Sequence, residues 1–106
     1  MKPYSINVTS DTVTIALPDR LDFSNAPGLM EEMKSFVGQP IQKVIFDCRE
    51  LQIVSSAGLR VLIFAKQKIA TDGEVIVAGA PDTVTRVISM SGFDSFLVIR
   101  DSLETP

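Results

Sequence analysis

At 106 residues the chain has the length of one compact domain, and one is expected to span 1–106. A hydrophobic content of 45% excludes a disordered chain, and a net charge of −3 without a basic run excludes a surface built to bind phosphate backbones. Histidine is absent and cysteine occurs once, which removes the usual zinc ligand sets, a Ser-His-Asp triad and any disulfide within the chain.

In chain order, YSINVT (4–9) and TVTIAL (12–17) alternate apolar and polar residues and are rich in β-branched side chains. Ser10-Asp11 between them supplies a two-residue turn, so a β-hairpin is expected. Pro18 stops the second strand. Ser24 or Asn25 serves as N-cap for a helix that tolerates Pro27 in its first turn and runs to about Val37. Leu29, Met30, Met33, Phe36 and Val37 form its apolar face, and Gly38 and Pro40 end it.

KVIFDC (43–48) is too continuously apolar for an edge strand and reads as central. Cys48 lies in it, where packing rather than reactivity is the expected role. After the turn-like Arg49-Glu50 the chain passes Ser55 and Ser56 and becomes helical, with Leu59, Leu62, Ile63 and Ile69 as a stripe up to about Thr71. Asp72-Gly73 breaks that helix, and EVIVAG (74–79) is another buried strand. Pro81 opens a helix carrying Val84, Val87 and Ile88, which stops at Ser91-Gly92 with the glycine in the left-handed position. FLVI (96–99) is a strand or part of a terminal helix, and the tail SLETP is expected to fray. The alternation implies an α/β domain in which the hairpin feeds a mixed, mainly parallel sheet of four to five strands. About four helices cover one or both of its faces.

The lone cysteine fits a reducing compartment. MKPYSINVTSDTV lacks the apolar core of a signal peptide, and no run approaches the roughly 18 apolar residues of a membrane span. A cytoplasmic location is therefore expected.

The stretch IVSSAGLRVL (53–62) carries the chemistry. Two adjacent hydroxyls stand at a strand-to-helix corner, with Ala57 and Gly58 directly behind them. A serine there caps a helix well, because its oxygen accepts a bond from an otherwise unpaired backbone N–H. A nucleophile would need the G-x-S-x-G turn and a base, and neither is present. Modification by another protein is the third reading: a phosphoryl group adds roughly −1.5 to −2 charges, which a helix N-terminus tolerates without unfolding. The residues alone leave capping and modification open.

VIFDCRELQIVSSAGLRVL, from Val44 to Leu62, resembles the signature of STAS domains, specifically the bacterial anti-sigma factor antagonists. Leu21-Asp22 before a helix is similar to the family's early L-D step, and GEVIVAGAPDTVTRVISMSGFDSFLVI (73–99) to its closing strand, helix and M-S-G segment. The resemblance implies a protein without catalysis or cofactor of its own that works by partner switching. In its unphosphorylated form it binds a GHKL-type serine kinase that doubles as the anti-sigma factor. Phosphorylation of a serine at the loop–helix junction releases it, and a PP2C-type phosphatase resets it. The free protein is expected to be a monomer.

Better-known members read D-S-S/T-G-L-G and carry the phosphate just before glycine, where this chain has Ala57. The acceptor implied here shifts to Ser56, with Ser55 as second choice. The implied partner-binding residues are Asp22, Ser55, Ser56, Ala57, Gly58 and Arg60, with Arg60 replacing a family glycine. A second role compatible with the family is a constitutive STAS subunit of a lipid-transporting ABC complex.

Overall fold

The computed structural model describes residues 3–102. The tail at 103–106, where fraying is expected, lies outside the described residues, as do both ends of the expected 1–106 span.

The expected hairpin forms. Strands β1 (Ser5–Thr9) and β2 (Thr12–Ala16) pair antiparallel with Ile6 opposite Ile15 and Val8 opposite Val13. Ser10 closes the turn in the left-handed region at φ 57°. Parallel strands β4 (Lys43–Asp47), β6 (Glu74–Ala78) and β7 (Val98–Arg100) extend the sheet in the order β1-β2-β4-β6-β7. FLVI therefore resolves as the approach to an edge strand, with Leu97 buried.

Three α-helices connect the strands: α1 (Ala26–Met33), α2 (Ser56–Phe64) and α3 (Asp82–Met90). Against an expectation of about four, residues Phe93–Ser95 make only a short 3-10 turn before β7. α1 ends four residues before Val37; Lys34–Phe36 tightens into a 3-10 turn, and Val37 is exposed rather than part of the apolar face. The helix expected up to Thr71 changes to a π-helical turn over Ala65–Ile69. Lys66 Nζ fastens its end by donating to the carbonyls of Thr71 at 3.2 Å and Gly73 at 2.8 Å. Gly92 stands in the left-handed region at φ 79°, as expected, and donates its N–H to the Ser89 carbonyl.

The strands after the hairpin advance in one direction across the sheet, and right-handed crossovers then place every connecting helix on the same face. Burial agrees. Val13, Ile15, Val44, Phe46, Val75 and Val77 share one core with Leu29 and Met33 of α1, Val61 and Leu62 of α2, and Val84 and Ile88 of α3. On the opposite face Thr14, Ile45 and Val98 stay half-exposed around the buried Ile76. Cys48, fully buried past the end of β4, has its thiol pushed up to about 12 by burial and then by the Asp47 charge. It is a packing residue.

Two further strands, β3 (Arg20–Leu21) and β5 (Ile53–Val54), form a separate parallel ladder with Arg20 opposite Ile53 and Leu21 opposite Val54. Sequence reasoning missed this ladder, and it is what builds the site.

Candidate modification and partner-binding site

The β3–β5 ladder brings the loop before α1 and the loop before α2 side by side. The Gln52 and Ile53 amides donate to the Asp19 carbonyl at 2.6 and 3.1 Å, and the Ser55 amide donates to the Leu21 carbonyl at 3.0 Å. Asp22 thus follows Leu21 as Ser55 follows Val54, and the two segments of the family resemblance meet in space.

The two serines have different surroundings. Ser55 is the N-cap of α2: its backbone is extended, at φ −93° and ψ 178°, and its Oγ accepts from the Gly58 amide at 3.4 Å. It is half-buried. Ser56 is the first residue of the helix and is exposed, and no hydrogen bond engages its hydroxyl among the described residues. Capping is thus performed by one serine, which leaves the other presented to solvent.

Gly58 faces the other way. It is buried, and a methyl group on its Cα would lie 2.6 Å from the Leu21 carbonyl oxygen and 2.7 Å from Val54 Cγ2. Its small size answers to the close approach of α2 to the ladder, whereas the half-buried Ala57 lies toward the surface.

The Asp22 carboxylate is engaged within its own loop. Its Oδ1 accepts from the Ser24 hydroxyl at 2.6 Å and the Ser24 amide at 2.9 Å. These two bonds hold its carboxyl below the usual carboxylate range, with a further contribution from the Arg20 charge. Ser24 is thereby spent on Asp22, and Asn25 occupies the N-cap position of α1 without capping it through its side chain. Asn25 instead ties the loop together: Oδ1 accepts from the Asp22 amide at 2.9 Å and Nδ2 donates to the Arg20 carbonyl at 2.8 Å. The expectation that Ser24 or Asn25 caps the helix is met in position only, because both side chains are drawn back into the Asp22 loop.

Beside Ser56, α1 and α2 leave a shallow groove of about 130 Å³ lined by Ala26, Pro27, Met30, Ala57, Arg60 and Val61. Arg60 is the charged residue of that lining, is exposed, and makes no hydrogen bond or ion pair among the described residues. Phe23, in the same loop as Asp22, is 81% exposed. Sequence reasoning passed over Phe23, Pro27 and Met30 as surface candidates. An aromatic residue in an otherwise polar loop is the signal that marks the first. The site therefore presents a free hydroxyl and a free guanidinium beside an apolar hollow, with an unburied aromatic ring in the adjoining Asp22 loop.

Comparison with known proteins identifies the family and the fold. The STAS domain model matches residues 4–105, and the chain belongs to the STAS domain family. Among curated proteins it is 35% identical over 82 residues to "Putative anti-sigma factor antagonist BtrV" of Bordetella bronchiseptica, covering 76% of this chain and 71% of that one. Among solved structures it is similar to a STAS domain protein from Planctomyces limnophilus, with a TM-score of 0.84 at 14% identity, covering 98% of this chain and 93% of the other. An anti-sigma factor antagonist from Mycobacterium paratuberculosis superimposes with a TM-score of 0.81 at 17% identity, over 95% and 86% of the two chains. The anti-sigma factor antagonist SpoIIAA in its unphosphorylated form gives 0.78 at 19% identity, over 91% and 86%.

Proposed function

We propose that this chain is an anti-sigma factor antagonist that works by partner switching in the cytoplasm, with Ser56 as its switch. In the unmodified state, Asp22, Phe23, Ser55, Ser56, Ala57 and Arg60 face a GHKL-type serine kinase that is also the anti-sigma factor. Docking there frees that protein's other client. The kinase then transfers the γ-phosphoryl group of ATP to Ser56 Oγ. The Oγ–P bond forms as the bond to the departing ADP oxygen breaks, and the hydroxyl proton leaves to a base on the kinase. A PP2C-type phosphatase resets the switch by hydrolysis, returning serine and inorganic phosphate.

One observation carries this reading: Ser55 is occupied as the cap while Ser56 stands exposed with an unengaged hydroxyl beside an apolar groove. A phosphoryl group there adds roughly −1.5 to −2 charges on the rim of a surface that a partner must desolvate. Further support comes from the curated relative that bears the antagonist name, and from the fold shared with SpoIIAA, a protein known in unphosphorylated and phosphorylated forms.

The test is phosphopeptide sequencing of the protein taken from its host. Trypsin cuts after Arg49 and Arg60 and releases ELQIVSSAGLR, with both serines in one peptide. Fragment ions that place phosphate on Ser56 are the expected result, together with roughly tenfold weaker kinase binding by Ser56→Asp. Phosphate on Ser55 would keep the switch and overturn the residue. A peptide unmodified in a phosphatase-deficient host, with stable copurification of transporter subunits, would favour a constitutive subunit instead.

A further inference from the structure

Arg60 is the charged side chain of α2, whose sequence SAGLRVLIF contains no acidic residue. Three other cations are engaged, whereas Lys43, Lys68 and Arg86, like Arg60, make no hydrogen bond or ion pair among the described residues. Arg49 is paired with Asp47, Lys34 with Glu31, and Lys66 with two backbone carbonyls. Arg60 stands exposed on the rim of the apolar groove. Its position relative to Ser56 supplies a reason. Residues four apart on a helix lie one above the other, with Cβ atoms about 5–6 Å apart, within reach of an arginine side chain. Helical side chains lean toward the N-terminus, so an arginine at position 60 has the turn that begins with Ser56 within its reach, as well as the groove it lines. Both residues are exposed, so neither has to be uncovered before they meet.

We propose that Arg60 holds the phosphate once Ser56 is modified, by a charge-assisted pair along one turn of α2. This inference rests on the reading of Ser56 as the modified serine. A guanidinium matches phosphate oxygens with two parallel N–H bonds, which an ammonium does not reproduce. The pair has a second consequence. Arg60 lines the docking groove, so drawing it onto the phosphate removes a cation from that rim as the dianion appears next to it. Modification thus alters two parts of the docking surface without unfolding the helix.

Phosphorus NMR titration tests the pair directly, on full-length protein with phosphoserine installed genetically at position 56. A guanidinium within reach stabilises the dianion, so the second phosphate ionisation of the otherwise unaltered phosphoprotein is expected roughly 0.2–0.4 pH unit below that of Arg60→Gln. Arg60→Lys is expected between them. Phosphoserine installed at position 55, five residues from Arg60 and off its face, is expected to titrate alike with and without Arg60→Gln. Equal midpoints for position 56 in the two proteins would overturn the pair, as would an equal Arg60 dependence at position 55. Because the phosphoserine is encoded, the result stands apart from whether the host modifies Ser56, which the tryptic peptide decides.

Discussion

Gly58 shows how much one missing methyl group decides. The helix that carries Ser56 approaches the β3–β5 ladder so closely that a Cβ would meet the Leu21 carbonyl at 2.6 Å and Val54 Cγ2 at 2.7 Å. A ladder carbonyl cannot swing aside as the end of a long side chain can. Gly58→Ala is therefore expected to destabilise the fold by about 1–3 kcal/mol, read as a lower urea midpoint at unchanged slope. A midpoint equal to that of the native protein would mean that α2 and the ladder separate without cost. The serines before it make the complementary point. Two identical residues, adjacent in sequence, have opposite fates because one ends an extended segment and the other begins a helix. The sequence made both candidates and placed them at a strand-to-helix corner. The resemblance favoured Ser56 as the acceptor, but only φ and ψ at that corner show that the Ser55 hydroxyl is the one spent on the cap.

At the scale of elements, the end of β4 carries an ion pair that ties the strand to the loop leading to the site. Asp47 is 9% exposed, and its carboxylate accepts from Arg49 Nε at 2.9 Å, from Arg49 Nη2 at 2.8 Å and from the Arg49 amide at 3.2 Å. The Arg49 side-chain bond is the largest effect on its carboxyl and holds it below the ordinary value, against the opposing effect of burial. A depressed folded-state value means that the pair stabilises the fold above the unfolded carboxylate pKa of about 3.9, and that this contribution is lost as pH falls through the folded value. Thermal melts between pH 6 and 3 are expected to show a steep loss below about pH 4. Asp47→Asn should flatten that acid limb and lower stability by about 1 kcal/mol at pH 7, a modest figure because the arginine is largely in water. An acid limb as steep in the variant as in the native protein would assign the loss to other carboxylates. The two ladder strands belong to this scale as well. Each is two residues long, too short for any periodicity to register, so the pairing of Leu21 with Val54 is invisible until the two segments are seen side by side.

For the molecule as a whole, the arrangement is one-sided. All three helices pack on one face of the sheet, and the proposed docking surface lies at the N-terminal ends of α1 and α2, where the ladder joins their loops. Phe23 stands there 81% exposed, in contrast to the buried Leu21 two residues before it. Exposed aromatic rings at the centre of an interface are frequent carriers of binding energy. Phe23→Ala is expected to weaken kinase binding by about 1–2 kcal/mol, roughly a 5- to 30-fold rise in Kd by calorimetry. Its melting temperature should stay within about 2 °C of the native value, because the ring buries little surface in the free protein. Unchanged affinity would remove Phe23 from the interface.

The sequence by itself determined the hairpin, the alternation of strands and helices that follows it, the central place of β4, the burial of β6, and the family to which the chain belongs. These follow from hydrophobic periodicity, turn residues and short motifs, which act over neighbouring residues and are written in order along the chain. Only the tertiary structure decided that every helix shares one face, that Leu21 pairs with Val54, that Gly58 turns inward, and that Ser55 is spent while Ser56 is free. Those outcomes depend on segments far apart in the chain meeting at van der Waals and hydrogen-bond distances, where a single carbonyl position selects which side chain packs and which faces water.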